Sequence, residues 1–142
     1  HDYWWNTVKK MNEFAEPYGN IFFLHNNSYE YGDISICGTR GWIQEPGAEA
    51  DVKVLRREVI RLEASLASAK QKPVVFMHYP PLFADQKNEE LIETMKKYGV
   101  TECYYGHLHG GAFSLAETGT VDGISYKLIS ADFLGFSPVL VR

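Results

Sequence analysis

The run Pro73-Val74-Val75-Phe76-Met77 is apolar at every position. A strand that faces water on one side alternates polar and apolar residues; an unbroken apolar run belongs to a strand buried on both faces. Such a strand must have a layer of structure on each side, so the rest of the chain has to provide covering elements. That requirement points to a layered α/β fold.

The surrounding pattern provides them. Asp51 to Lys70 predicts a long helix, with Val52, Leu55, Val59, Leu62, Leu66 and Ala69 on one face and charges on the other. Asn88 is placed to cap a second helix through Tyr98, with Leu91, Ile92 and Met95 inward and Gly99 ending it. Trp4, Val8, Met11 and Ala15 mark a shorter helix stopped by Pro17 and Gly19. Further strands are expected at Ile21 to His25 and Val100 to Tyr105. A hairpin is expected where Tyr29 to Tyr31 meets Ile34 to Thr39 across Gly32-Asp33. Arg40 to Ala48 reads as loop, and the remainder as short strands joined by Gly-rich turns.

With 142 residues the chain has the length of one domain, and 45% hydrophobic residues suffice for a core. Fourteen basic residues against eighteen acidic ones leave no basic surplus for nucleic acid or an anionic membrane. The apolar runs fall far short of the ~20 residues that span a bilayer. Cys37 and Cys103 sit in strand-like runs and read as buried free thiols, which fits a reducing, cytoplasmic setting.

Chemistry concentrates in the histidines. His78 follows the apolar strand directly, and His107 follows the TECYY strand after one glycine. Ligands of layered α/β folds collect at the carboxyl ends of strands. In YYGHLHGG, an extended backbone would point His107 and His109 to the same side with Leu108 opposite. Glycines on both sides permit close backbone approach to an ion or phosphate, and neutral imidazole is the commonest metal ligand. An isolated H-x-H pair is as often a surface feature, and a histidine after an apolar strand is often its polar cap. The joint pattern of three histidines at two strand ends favours a site. His25 precedes Asn-Asn-Ser and reads as structural or surface.

Three stretches resemble the motifs of the calcineurin-like metallophosphoesterases. Gly106-His107-Leu108-His109 matches the family's G-H-x-H. His78, after Val74-Val75-Phe76-Met77 and before Tyr79-Pro80-Pro81, matches its lone histidine after an apolar strand. His1-Asp2 matches the last two residues of G-N-H-[DE]. The order is the family's, and the matches span the chain. The family's D-x-H, G-D-x-x-D and the Gly-Asn before His1 are not in the sequence. The resemblance therefore implies one incomplete domain over residues 1–142, the carboxyl-terminal portion of a four-layer αββα sandwich without its amino-terminal strands.

The function implied is hydrolysis of phosphomonoesters or phosphodiesters by two divalent metal ions, Mn, Fe or Zn. Paired cations hold the phosphoryl oxygens and lower the pKa of water toward neutrality. By the same resemblance His78 and His107 would bind one ion and His109 the other. His1 would contact phosphate and assist the leaving group, with Asp2 orienting it. The chain alone would be metal-poor and inactive, and would self-associate or pair with the missing portion. Arg40, beside Gly41, has the planar fork that suits phosphate oxygens, or is a surface arginine. Trp42, Tyr79 and Phe83 line a cleft or close the core. The expected substrate is a small phosphoester. Two other readings stand beside this one. A metallo-β-lactamase-like hydrolase shares H-x-H but continues to Asp-His, where this chain has Gly110-Gly111. A non-catalytic α/β binding module would use the histidines to line a pocket.

Overall fold

A computed structural model of the chain describes residues 7–43 and 49–141. His1, Asp2 and Trp4 lie outside the described residues, as does part of the loop expected over Arg40 to Ala48.

The apolar run forms β3 (Lys72–Met77), a central strand of a six-stranded sheet. The order is β1 (Tyr29–Tyr31), β2 (Ile34–Thr39), β3, β6 (Glu102–Tyr105), β8 (Ile124–Leu128) and β7 (Gly119–Val121). β2, β3, β6 and β8 run parallel, and the antiparallel β1 and β7 close the two edges as hairpin partners. The Gly32-Asp33 hairpin is where the sequence puts it. At the other edge Asp122 (φ 52°) and Gly123 (φ 83°) make the two-residue left-handed turn that suits the twist of paired strands.

Helices α2 (Glu49–Ala67) and α3 (Glu89–Lys97) connect the parallel strands and share one face of the sheet. The strand register explains the core. Cys37, Val75, Cys103 and Tyr126 form one row across the sheet, and Met77, Tyr105 and Leu128 form part of the next. Leu62 and Leu66 of α2 and Leu91, Ile92 and Met95 of α3 close over them. The Asn88 side chain accepts the Leu91 N–H at 3.2 Å, and Gly99 (φ 69°) ends α3 in the left-handed region. α1 (Val8–Ala15) buries Met11 and Ala15 and stops at the 3₁₀ turn Glu16–Tyr18.

The opposite face carries Val74 and Tyr104, both buried, with Phe76 stacked on Tyr104 at 5.0 Å. The chain is thus mixed α/β with a mostly parallel sheet. Cys37 and Cys103 are free and buried, separated by Val75 in their row. Two strand spacings, about 9.6 Å, exceed the reach of a disulfide. Burial pushes the Cys37 thiol up to about 11 and Cys103 higher still.

One expected strand does not form. Ile21 to His25 is not a strand: β1 pairs with β2 over Ile34–Ile36, and beyond it the Gly38 N–H goes to Ser65 Oγ of α2 rather than to another strand. It runs instead as an irregular segment, tied down by Tyr29 Oη donating to Phe23 O at 3.1 Å and Ser65 Oγ donating to Asn27 O at 2.6 Å. The loop after His78 contains a small hairpin, β4 (Leu82–Phe83) with β5 (Gln86–Lys87), that no periodicity announced. Among the described residues no helix is long and apolar enough to cross a membrane.

Candidate functional site

The parallel strands end at one edge, and their exits bring the candidate residues there. β2 leads into Arg40, β3 into His78, β6 into His107 and His109, and β8 toward Asp132. Backbone hydrogen bonds fix these exits. Arg40 O accepts the N–H groups of His78 (3.1 Å) and Tyr79 (2.8 Å), and His78 O accepts Gly106 N–H at 3.2 Å. His78 is therefore held between the ends of its two neighbouring strands.

His78 Nε2 and His107 Nδ1 lie 3.1 Å apart. Two nitrogens bound to one ion at about 2.0–2.1 Å each would be about 2.9–3.4 Å apart at right or tetrahedral angles. The pair is thus spaced as a hydrogen bond would be, and equally as two ligands of one ion. Tyr79 packs against both rings, its centroid 4.8 Å from His78 and 4.3 Å from His107, and Trp42 packs on Tyr79 at 5.2 Å. These aromatic residues support the imidazoles. Phe83 joins the edge of the core.

His107 sits at φ 70°, in the left-handed region that residues other than glycine adopt rarely. This overturns the extended-backbone premise for the H-x-H stretch. The chain turns at His107, and the two imidazoles engage different partners. His109 Nδ1 is 2.8 Å from Asp132 Oδ1, and Gly110 N–H donates to Asp132 Oδ2 at 3.1 Å. Leu108 between them is buried. Burial raises the Asp132 carboxyl, but hydrogen bonds from His109 and Gly110 outweigh it and hold the group below its ordinary value. A carboxylate on Nδ1 sets the tautomer and leaves Nε2 as the free acceptor, the usual arrangement behind a ligating histidine. Sequence reasoning missed Asp132. Its position after β8 was the available signal, since that strand ends at the same edge.

Burial, reinforced by the charge of His109, lowers the His107 pKa from its ordinary 6.5. The unfolded chain then binds this proton at higher pH than the folded chain. Stability is unaffected above pH 6.5 and declines as pH falls through that value. NMR titration of the His107 ring should give a midpoint below 6.5; a midpoint at or above it would contradict the burial.

Arg40 does not stand free on the surface. Its guanidinium lies 4.7 Å over the Trp42 ring and 3.3 Å from Glu58 Oε1. Glu58 is fully buried; Arg61 reaches the same oxygen at 2.7 Å and Thr39 donates to Oε2 at 2.6 Å. Among the described residues no three His, Cys, Asp or Glu side chains converge to hold an ion. The described side chains fit two corners of a coordination sphere, at His78 and His107.

Comparison with known proteins finds no matching family model and no match among curated proteins or solved structures.

Proposed function

We propose that the chain is a metal-dependent phosphoester hydrolase of the calcineurin-like kind, its site at the carboxyl edge of the parallel sheet. The observation that carries the reading is the 3.1 Å pairing of His78 with His107, presented by two adjacent parallel strands. Divalent ions in such a site supply positive charge against phosphoryl oxygens and acidify water. His78 and His107 would hold one ion. His109, held by Asp132, would present Nε2 to a second. The depressed pKa of His107 keeps its imidazole neutral and able to ligate near neutral pH.

The helix-covered sheet also suits one half of a four-layer sandwich, whose second sheet would lie against the face carrying Val74, Phe76 and Tyr104. D-x-H and G-D-x-x-D are not in the sequence, so on this reading the remaining ligands come from elsewhere than the described residues. Binding of divalent metal that needs both imidazoles is the outcome this function requires. The direct His78–His107 contact favours a second reading, a metal-free binding module whose histidines line a pocket. Metal titration separates the two.

A further inference from the structure

The Glu58 carboxylate is fully buried, and Arg40 and Arg61 meet on its Oε1 at 3.3 and 2.7 Å. Thr39 Oγ1 donates to its other oxygen at 2.6 Å. Two cations on one anion leave one surplus positive charge, and like charges brought to one oxygen repel each other. The buried anchor holds them there all the same, and the Trp42 ring under Arg40, at 4.7 Å, helps to fix its guanidinium. Each guanidinium has N–H donors beyond the one spent on Glu58. The two side chains are 49% and 40% exposed, so those donors are accessible.

A cavity of about 690 Å³, the size of a small-molecule site, opens on this pair. Among the described residues that line it, Glu58 is the one acid, against Arg40, Arg61, His25 and His78. Thr39 alternates to the same side of β2 as Cys37, which packs in the core under α2. The end of the cavity formed by Thr39, Glu58 and Arg61 therefore lies on the helix side of the sheet, apart from the face that carries Val74, Phe76 and Tyr104.

The cavity also adjoins the histidine pair. Arg40 O accepts the His78 N–H, so the two residues are neighbours across β2 and β3, and His78 lines the cavity too. An anion at the two guanidinium groups would lie roughly one arginine side chain away from a phosphate at His78.

We propose that Arg40 and Arg61 form an oxyanion subsite that receives a second anionic group of the substrate, so that the chain acts on phosphoesters bearing a phosphate or a carboxylate besides the phosphate at the histidines. In placing that first phosphate the proposal rests on the hydrolase reading. The subsite itself does not, because its donors and its surplus charge belong to Arg40, Arg61 and Glu58 alone.

The subsite is tested first, by NMR of the arginine Nε–H groups in the purified chain stripped of metal. Inorganic phosphate should shift the Arg40 and Arg61 signals saturably, with a midpoint at least about ten-fold below that of chloride, since charge-assisted, forked hydrogen bonds favour an oxyanion. Arg56 and Arg57, exposed on α2 and outside the cavity lining, are the internal controls and should not saturate. Arg61→Lys keeps a cation for Glu58, so it should fold, and it should weaken phosphate at least about three-fold because it lacks the fork. A shift that chloride reproduces, a shift shared by Arg56 and Arg57, or phosphate affinity unchanged in Arg61→Lys overturns the subsite.

The substrate class is tested by calorimetry with Mn²⁺ bound. Glycerol bisphosphate or phosphoglycerate should bind at least about ten-fold more tightly than glycerol phosphate, the first naming a second phosphate and the other a carboxylate. Arg61→Lys should reduce that preference. Equal affinities for the three overturn the assignment of the second group. A phosphate shift at the arginines in a chain that binds no metal upholds the subsite and defeats the hydrolase reading. Metal binding at the histidines without the phosphate shift does the reverse.

Discussion

Gly38→Ala is expected to destabilise the chain by about 3 kcal/mol or more, which is the upper range for overpacking. A Cβ at this position would fall 2.0 Å from Phe76 O and 3.0 Å from its carbonyl carbon. Those atoms are backbone of the neighbouring central strand, so no rotamer change relieves the contact. β2 would have to move away from β3 along the register that joins Gly38 to Phe76. The hydrogen bond from Gly38 N–H to Ser65 Oγ, 3.0 Å, would be strained as well. For a domain with roughly 5–15 kcal/mol in total, this is a large fraction. Urea denaturation would measure it against Gly111→Ala, where an added Cβ meets nothing within 4 Å. That control should stay within about 0.5 kcal/mol of the parent. Equal stability of the two variants would show that the β2–β3 approach is not as described.

Glu58→Ala should cost about 2–3 kcal/mol. Its carboxylate is buried and takes Thr39, Arg40 and Arg61 together. Removing one partner of a buried ionic group typically costs 3–5 kcal/mol, because the other is left without compensation. Here the two arginine side chains are 49% and 40% exposed, so water takes over part of their solvation and the cost falls below that range. Thr39, half-buried, loses its hydroxyl's bond as well. Glu58→Gln keeps the acceptor and should lie between parent and Ala in a thermal melt. A Glu58→Ala variant as stable as the parent would mean that the cluster is dispensable.

Most of the architecture is legible in the sequence because burial writes a period. The stripe from Val52 to Ala69, the alternation of β2 and the unbroken run of β3 each record how many faces are covered. Asn88, Gly99 and Asp122-Gly123 mark boundaries through backbone chemistry that is local. What failed was non-local. Ile21 to His25 has a strand's composition, but whether a strand forms depends on pairing partners, and β2 gives Ile34–Ile36 to β1 and the Gly38 N–H to Ser65. Histidines at strand ends were legible because the strands were. The turn at His107 was not, since the flanking glycines explained local freedom without showing that the histidine itself takes positive φ. Asp132 reaches His109 across 23 positions from a segment with no periodicity. Gly38 read as a strand residue, and the close approach of Phe76 O that excludes a side chain there is visible only once the register is known.

The central claim is that His78 and His107 are two ligands of one ion, and metal binding tests it most directly. Isothermal titration of the purified chain with Mn²⁺ and with Zn²⁺ near pH 7.5 (~1 unit above the ordinary imidazole value) should show weak but saturable binding, since the described residues supply only part of the site. His78→Ala and His107→Ala should each weaken it at least about ten-fold, since second-sphere changes alone cost 10–100-fold. Both variants should melt within a few degrees of the parent, because the two side chains are only half-buried at the sheet edge. Metal binding that persists at parental affinity in either variant, or no saturable binding by the parent, would contradict the account.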